Sequence, residues 1–312
     1  MKSVDLIIVG AGSMAASYVE VMKSLSYKFD VICRNTIKAD KFKIKHKVNT
    51  SSGGIDKYLS DKNAKIKYAI VCVDIDNLFE VSLVLLKNGI KNILIEKPGG
   101  INKKQINSIY RYSKKFNANA YIAYNRRFYE SIKSAIKIIK GDGGIRTCFF
   151  EFTEWSHIIE NEDVPKIFKE RLFLCNSSHI LDLFLYFCGE PKTFNSSTTG
   201  SIGWHPNASA FSGSGITSKG ILFSYIADWE SAGRWNLELT TSKRRLYFSP
   251  LEKLHCMDRG SLDKYEIKPV NENDKLYKPG IYNMVRKFIE NDHSDFCTIK
   301  DQSKHFNLYF KI

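Results

Sequence analysis

No stretch of the sequence approaches the ~18 consecutive apolar residues of a membrane span, and the longest apolar runs are strand-sized, so a membrane-spanning role is not expected. Before Gly10 the only apolar run is Leu6 to Val9. The amino terminus therefore lacks the apolar core and small-residue cleavage site of a signal peptide, which leads us to expect a cytoplasmic protein. The seven cysteines (33, 72, 148, 175, 188, 256 and 297) are odd in number and scattered, with no Cys-x-x-Cys pair. Neither a disulfide framework nor a zinc site is signalled, and most should be buried thiols. There is no internal repeat or low-complexity tract. No helix-turn-helix, zinc finger or aromatic-basic sheet motif appears, so no nucleic-acid partner is expected.

What is present is a chain of 312 residues, 43% hydrophobic and 26% charged, enough for about two domains. Its 47 lysines and arginines against 33 acids give a formal charge of +14. That surplus points to an anionic partner.

Apolar runs and amphipathic stretches alternate over the first part of the chain. Val4 to Val9, Phe29 to Cys33, Tyr68 to Val73, Ile93 to Ile95 and Ala118 to Ala123 read as buried strands, with helices near Met14 to Leu25, Asp76 to Lys87 and Lys103 to Phe116. This α/β repetition predicts a doubly wound parallel sheet, a Rossmann domain over residues 1–123. Residues 124–312 read differently, with a helix from about Phe128 to Lys140 and strands at Ile145 to Thr153, Lys219 to Asp228, Arg234 to Thr241 and Arg245 to Ser249. They predict an α+β substrate-binding and oligomerisation domain on a largely antiparallel open sheet. A further helix spans Asn176 to Phe187, and two more follow Pro279 and Lys300. Asn195 to Gly220, rich in serine, threonine and glycine, reads as a loop with little regular structure.

The clearest motif is Gly10-Ala11-Gly12-Ser13-Met14-Ala15, a Gly-x-Gly-x-x-Ala that ends the first strand and opens a helix. Gly10 permits the tight turn, Gly12 lets the backbone approach a pyrophosphate, and Ala15 allows close helix packing; Ser13 and Met14 fall in the same turn. The helix start supplies N–H donors and dipole to the phosphates. The second strand ends at Arg34-Asn35, about 20 residues past Gly12, where an acid would bind the ribose of NAD. A guanidinium there suits a 2′-phosphate, so NADP(H) is favoured over NAD(H), with Asn35 beside it. The lysines at 38, 41, 43, 45 and 47 read mainly as a solvated surface.

Glu96-Lys97-Pro98 ends the fifth strand, at the sheet edge where ligands bind in such folds. With Gly10 to Ala15 before it, and Tyr124-Asn125-Arg126-Arg127-Phe128 and His179-Ile180-Leu181-Asp182 after it, the whole chain resembles the Gfo/Idh/MocA oxidoreductases (glucose-fructose oxidoreductase, inositol dehydrogenase, rhizopine catabolism). The wording around Asn176-Ser177-Ser178-His179 is most similar to members from bacterial surface-polysaccharide clusters. The resemblance implies an NAD(P)-dependent enzyme acting on a carbohydrate hydroxyl or its ketone. It also implies that Lys97, preceding a cis proline at Pro98, lies between nicotinamide and substrate, and that His179 carries the hydroxyl proton. The chemistry agrees, since an imidazole can take or give a proton near neutrality and an ammonium can stabilise a developing oxyanion.

Around these two, Glu96 and Pro98 are expected at the cofactor, and Cys175 and Asn176 at the substrate; Asn125 and Arg126, at the end of the sixth strand, contact either cofactor or substrate, Arg126 being assigned to the cofactor and Asn125 to the substrate. Asp182 either orients His179 or caps local backbone, and Arg127 is either a site residue or a structural ion-pair partner. Arg171, Arg234 and Lys243 are candidates to line a basic substrate cleft. Many members carry an aspartate where this chain has Cys175, which leaves a second class open, a non-catalytic NAD(P)-sensing protein on the same fold. An apolar sheet face in the second domain predicts a homo-oligomer.

Overall fold

Four-residue runs of branched apolar residues build the first sheet: Leu6 to Val9 are each at most 4% exposed, and Ile93 to Ile95 are fully buried. In the computed structural model, which describes residues 4–61, 66–309 and 311–312, the chain begins β1 (Leu6–Val9), α1 (Ser13–Ser24), β2 (Phe29–Ile32), α2 (Thr36–His46), β3 (Thr50–Ser51) and α3 (Gly54–Asp61). It continues β4 (Tyr68–Val71), α4 (Leu78–Lys87), β5 (Asn92–Ile95), α5 (Lys103–Lys115) and β6 (Asn119–Ile122). The lysine-rich segment after Arg34 is helical: Asn35 caps α2, its side chain accepting from the Lys38 N–H at 2.9 Å, and only Ala39 and Phe42 of that helix are buried.

Past β6 come α6 (Glu130–Gly141), β7 (Thr147–Glu151), α7 (Ser156–Asn161), α8 (Lys166–Glu170), a π-turn (Phe173–Ser177) and α9 (Ser178–Cys188). The strands β8 (Pro191–Thr199), β9 (Ala210–Thr217), β10 (Leu222–Asp228), β11 (Asn236–Thr240), β12 (Arg244–Phe248), β13 (Leu254–Asp258) and β14 (Lys264–Ile267) follow. The chain ends with α10 (Asn273–Leu276), α11 (Ile281–Ile289), β15 (Cys297–Thr298) and α12 (Ile299–Tyr309).

Two compact units result, Met1–Asn125 with Lys275–Phe306, and Arg126–Asp274 with Asn307–Ile312. The linear division at 123/124 thus meets a chain that returns. In the first unit the strand order is β15-β6-β5-β4-β1-β2-β3, parallel except for β15, which runs antiparallel to β6. The order reverses beside β1, with Leu6 facing Phe29 of β2 on one side and Tyr68 of β4 on the other. Ligands bind at such a reversal, outside the carboxyl ends of the strands. The returning segment is tied in by aromatic packing, Phe288 of α11 standing edge-on to Tyr68 at 5.5 Å.

In the second unit the sheet order is β14-β13-β12-β11-β7-β10-β9-β8, antiparallel apart from the β7–β10 pair. The stretch from Asn195 to Gly220 is no loop: it supplies most of β8 and β9, paired from Pro191↔Thr217 to Thr199↔Ala210. Its small residues have a packing reason. A Cβ on Gly213 would collide with the Tyr225 ring and one on Gly215 with the Thr193 carbonyl, so glycine admits the neighbouring strands and rings. All seven cysteines are free, and all but Cys33 are buried.

Candidate functional site

The glycine turn has the shape a dinucleotide needs. Gly10 holds φ at 132°, and a Cβ there would overlap the carbonyl of Cys72. Its N–H donates to Ile32 at 2.9 Å, locking β1 to β2 at the turn. Gly12 is the opposite case. It is the N-cap of α1, and nothing lies within 4 Å of where its Cβ would sit, so a phosphate has room to approach the helix start. Ala15 is fully buried, as close helix packing requires.

A cavity of about 720 Å³ runs from this turn along the carboxyl ends of β1, β2 and β4. Gly10, Gly12, Ser13, Arg34, Asn35 and Asp74 line it, together with Lys38, Lys41, Lys45 and Asp56. A dinucleotide fits these residues: an open, donor-rich turn for the pyrophosphate, and an exposed guanidinium at the far end for the adenosine ribose. Asn35 lines the same space, although its carbonyl oxygen is engaged in capping α2.

At the end of β5, Lys97–Pro98 is a cis peptide. The carbonyl of Pro98 accepts from the fully buried Gln302 amide at 2.9 Å, and the same amide reaches the Tyr124 hydroxyl at 3.1 Å. Gln302 and Lys278 both come from the returning segment, so their sequence positions gave no hint of the first unit. Lys278 places its Nζ 2.9 Å from the Met14 sulfur and acts electrostatically on Glu96. Glu96 itself is an internal strut: 9% exposed, it accepts from the Tyr18 hydroxyl of α1 at 2.6 Å. Burial pushes its carboxyl above the usual range, against the opposing pull of Tyr18, Lys97 and Lys278. Asn125 donates to the Pro279 carbonyl at 2.9 Å.

In the second unit, α9 follows directly from the π-turn, a distortion often found at functional sites. His179 is 4% exposed on α9, its ring 5.9 Å from that of Trp235. Beneath the π-turn lies Glu154, fully buried just past β7. Its carboxylate accepts from Ser177 at 2.6 Å, Asn176 at 3.0 Å and Arg234 at 2.9 Å. Burial raises this carboxyl above its ordinary value against the opposing pull of Ser177, Arg234 and Trp235. Cys175 is 1% exposed within the turn. Asp182 is gripped by Arg127 through two bonds of 2.7 Å each, which makes Arg127 a buried ion-pair partner.

Arg126 lies with the second unit, its guanidinium 4.5 Å from the centre of the Trp235 ring. Arg234 packs over both Trp235 and Trp155, at 4.9 and 4.7 Å. Of the other two basic candidates, Arg171 is an exposed residue after α8. Lys243 sits in the β11–β12 hairpin, a whole strand away from Arg234, about 17 Å of chain. Glu154, Trp155 and Trp235 were missed in the sequence; an acid and two tryptophans just outside strand ends were the available signal.

Residues 4–124 match the family model described as "Oxidoreductase family, NAD-binding Rossmann fold". Three solved structures show how widely the whole fold recurs. A UDP-N-acetylglucosamine 3-dehydrogenase from Acidithiobacillus ferrooxidans superposes with TM-score 0.77 at 14% identity, covering 100% of this chain and 97% of that one. A levoglucosan dehydrogenase in complex with NADH and levoglucosan gives 0.78 at 13%, covering 100% and 96%. An oxidoreductase from Agrobacterium radiobacter in complex with NAD+, L-tartaric acid and magnesium gives 0.79 at 11%, covering 99% and 94%. No curated protein matches the chain by sequence. Among the described residues no helix is long and apolar enough to cross a membrane. Residues 4–124, the Rossmann domain, thus match a family of NAD-binding oxidoreductases, and the chain as a whole shares its fold with the three solved structures above.

Proposed function

We propose that the chain is an NADP(H)-dependent dehydrogenase or reductase acting on a carbohydrate hydroxyl or the matching ketone. The observation that carries this reading is the cavity along β1, β2 and β4, with its open glycine turn at one end and Arg34 at the other. Arg34 supports the phosphorylated cofactor, because a bidentate guanidinium offers its donors to a 2′-phosphate and gains little from a bare ribose. The carbohydrate class rests on the resemblance in sequence and on the sugar substrates in the names of two structural neighbours.

When bound, the nicotinamide supplies or accepts the hydride. Lys97 then donates a hydrogen bond to the reacting oxygen and stabilises its charge as the proton leaves. His179 takes that proton on an imidazole nitrogen in oxidation and returns it in reduction. Gln302 positions Lys97 through the Pro98 carbonyl. Glu154 positions the π-turn ahead of His179 through Asn176 and Ser177.

We read the enzyme as cytoplasmic, homo-oligomeric and engaged in surface-polysaccharide biosynthesis. Leu222 and Ile226, 58% and 51% exposed on β10, support association through the open sheet face. The test is a panel of sugars, sugar acids and nucleotide sugars assayed by nicotinamide absorbance with NADPH/NADP+ and NADH/NAD+ in parallel. Turnover of a panel member, faster with the phosphorylated cofactor, is expected. Tight NADPH binding with no redox activity on any of them would favour the cofactor-sensing reading that Cys175 leaves open.

A further inference from the structure

Arg126 has no contact ion pair among the described residues. Its guanidinium packs on Trp235 at 4.5 Å, and its Nε is buried without a hydrogen-bond partner. Two carboxylates act on it through space, Glu252 and Glu154, and neither forms a contact pair with it. Glu154 is already engaged by Arg234, Ser177 and Asn176. Burial disfavours the charged guanidinium, as expected for a cation drawn out of water.

The guanidinium is part-buried, with its Nε out of water and no contact ion pair, so an arriving oxyanion would find donors free of a carboxylate. The surroundings narrow what such a group would be. Arg126 and Arg234 pack on the same indole, so the rings hold two guanidiniums near each other, and only Arg234 has its own carboxylate. His179 stands on the same indole, 5.9 Å between ring centres. An aromatic wall suits the apolar face of a sugar ring, and a planar fork of N–H donors suits an oxyanion.

We propose that Arg126 binds an anionic group of the substrate, a carboxylate or a phosphate carried on the sugar, and is not a cofactor ligand. This narrows the carbohydrate reading above and rests on it for the identity of the sugar ring. The two sources of the oxyanion are a uronic acid and a phosphorylated or nucleotide-linked sugar. Two charge-assisted hydrogen bonds correspond to a loss of about 10- to 100-fold in affinity when the fork is removed.

The experiment is calorimetric titration of the full chain, with and without NADP+, using glucuronate, glucose 1-phosphate, UDP-glucose and neutral glucose as probes. At least one charged probe should bind about 10-fold or more tighter than glucose; glucuronate alone would identify a carboxylate, and the phosphorylated pair a phosphate. Arg126→Gln should weaken that probe about 10- to 100-fold, leave glucose and NADP+ within about 2-fold, and be partly rescued by Arg126→Lys. Equal affinity for glucose and all charged probes, no saturation by any charged probe, or unchanged affinity in Arg126→Gln would overturn the proposal. So would a loss of NADP+ affinity as large as that of the sugar. Should Arg126→Gln fail to fold, the wild-type comparison and Arg126→Lys carry the same decision. Binding as expected with no hydride transfer would instead count against the dehydrogenase reading and leave this one standing.

Discussion

Replacing Asp182 by asparagine would remove the carboxylate that Arg127 grips. In the native chain Nε and Nη2 of Arg127 reach the two Asp182 oxygens at 2.7 Å each, and the side chains are only 7% and 1% exposed. Breaking such a buried pair costs about 3–5 kcal/mol, whereas removing both charges together costs far less. Asp182→Asn, Asp182→Leu and Arg127→Met should therefore each lose about 3–5 kcal/mol, and Arg127→Met/Asp182→Leu about 2 kcal/mol or less. The assay is favoured by the sequence: all four tryptophans, at 155, 204, 229 and 235, lie in the second unit. Their emission during urea unfolding follows that unit alone. With a slope of about 2–3 kcal/mol per molar, each single variant should shift the midpoint down by about 1–2 M. Single variants within about 1 kcal/mol of the parent, or a double variant equal to the sum of the singles, would show that the two charges do not stabilise each other.

Three other outcomes follow from the first unit. Arg34→Ala should weaken NADPH about 10- to 100-fold while NADH changes about 2-fold or less, measured by direct titration; an unchanged ratio removes Arg34 from the phosphate site. Gly10→Ala forces a side chain into a φ of 132° and onto the Cys72 carbonyl, so it should abolish NADPH binding and cost about 3 kcal/mol or more; near-native binding would contradict the turn as described. Hydrogen bonds from Lys287 and Ser294 pull the Asp292 carboxyl down to about 2, from an ordinary 3.8. Its contribution is thus complete above the ordinary value and fades as pH falls toward about 2, and because the side chain is 49% exposed it is worth less than about 1 kcal/mol. Thermal midpoints of the parent and Asp292→Asn should differ slightly near pH 6 and converge near pH 2.

The sequence made the cofactor half legible because its signals are local. A strand, a glycine turn and a helix are consecutive, so Gly10, Gly12 and Ala15 announce their roles from spacing alone. The helix after Arg34 was hidden by its lysines, which mask the weak apolar face of Ala39 and Phe42. Asn195 to Gly220 misled for the opposite reason. Serine, threonine and glycine signal loops, yet here small residues are what the Phe223 and Tyr225 rings require of the adjacent strand. Gln302 and Lys278 were invisible because the chain returns to the first unit some 150 residues after leaving it. Glu154 and Trp235 meet only through sheet pairing, as β11 lies antiparallel to β7.

The central claim is that Lys97 acts on a carbohydrate oxygen during hydride transfer. The most direct measurement is steady-state turnover of Lys97→Ala against the parent, on whichever sugar the panel identifies, with NADPH affinity titrated alongside. Turnover should fall by about 100-fold or more while NADPH affinity changes about 3-fold or less. Full turnover in Lys97→Ala would contradict the claim.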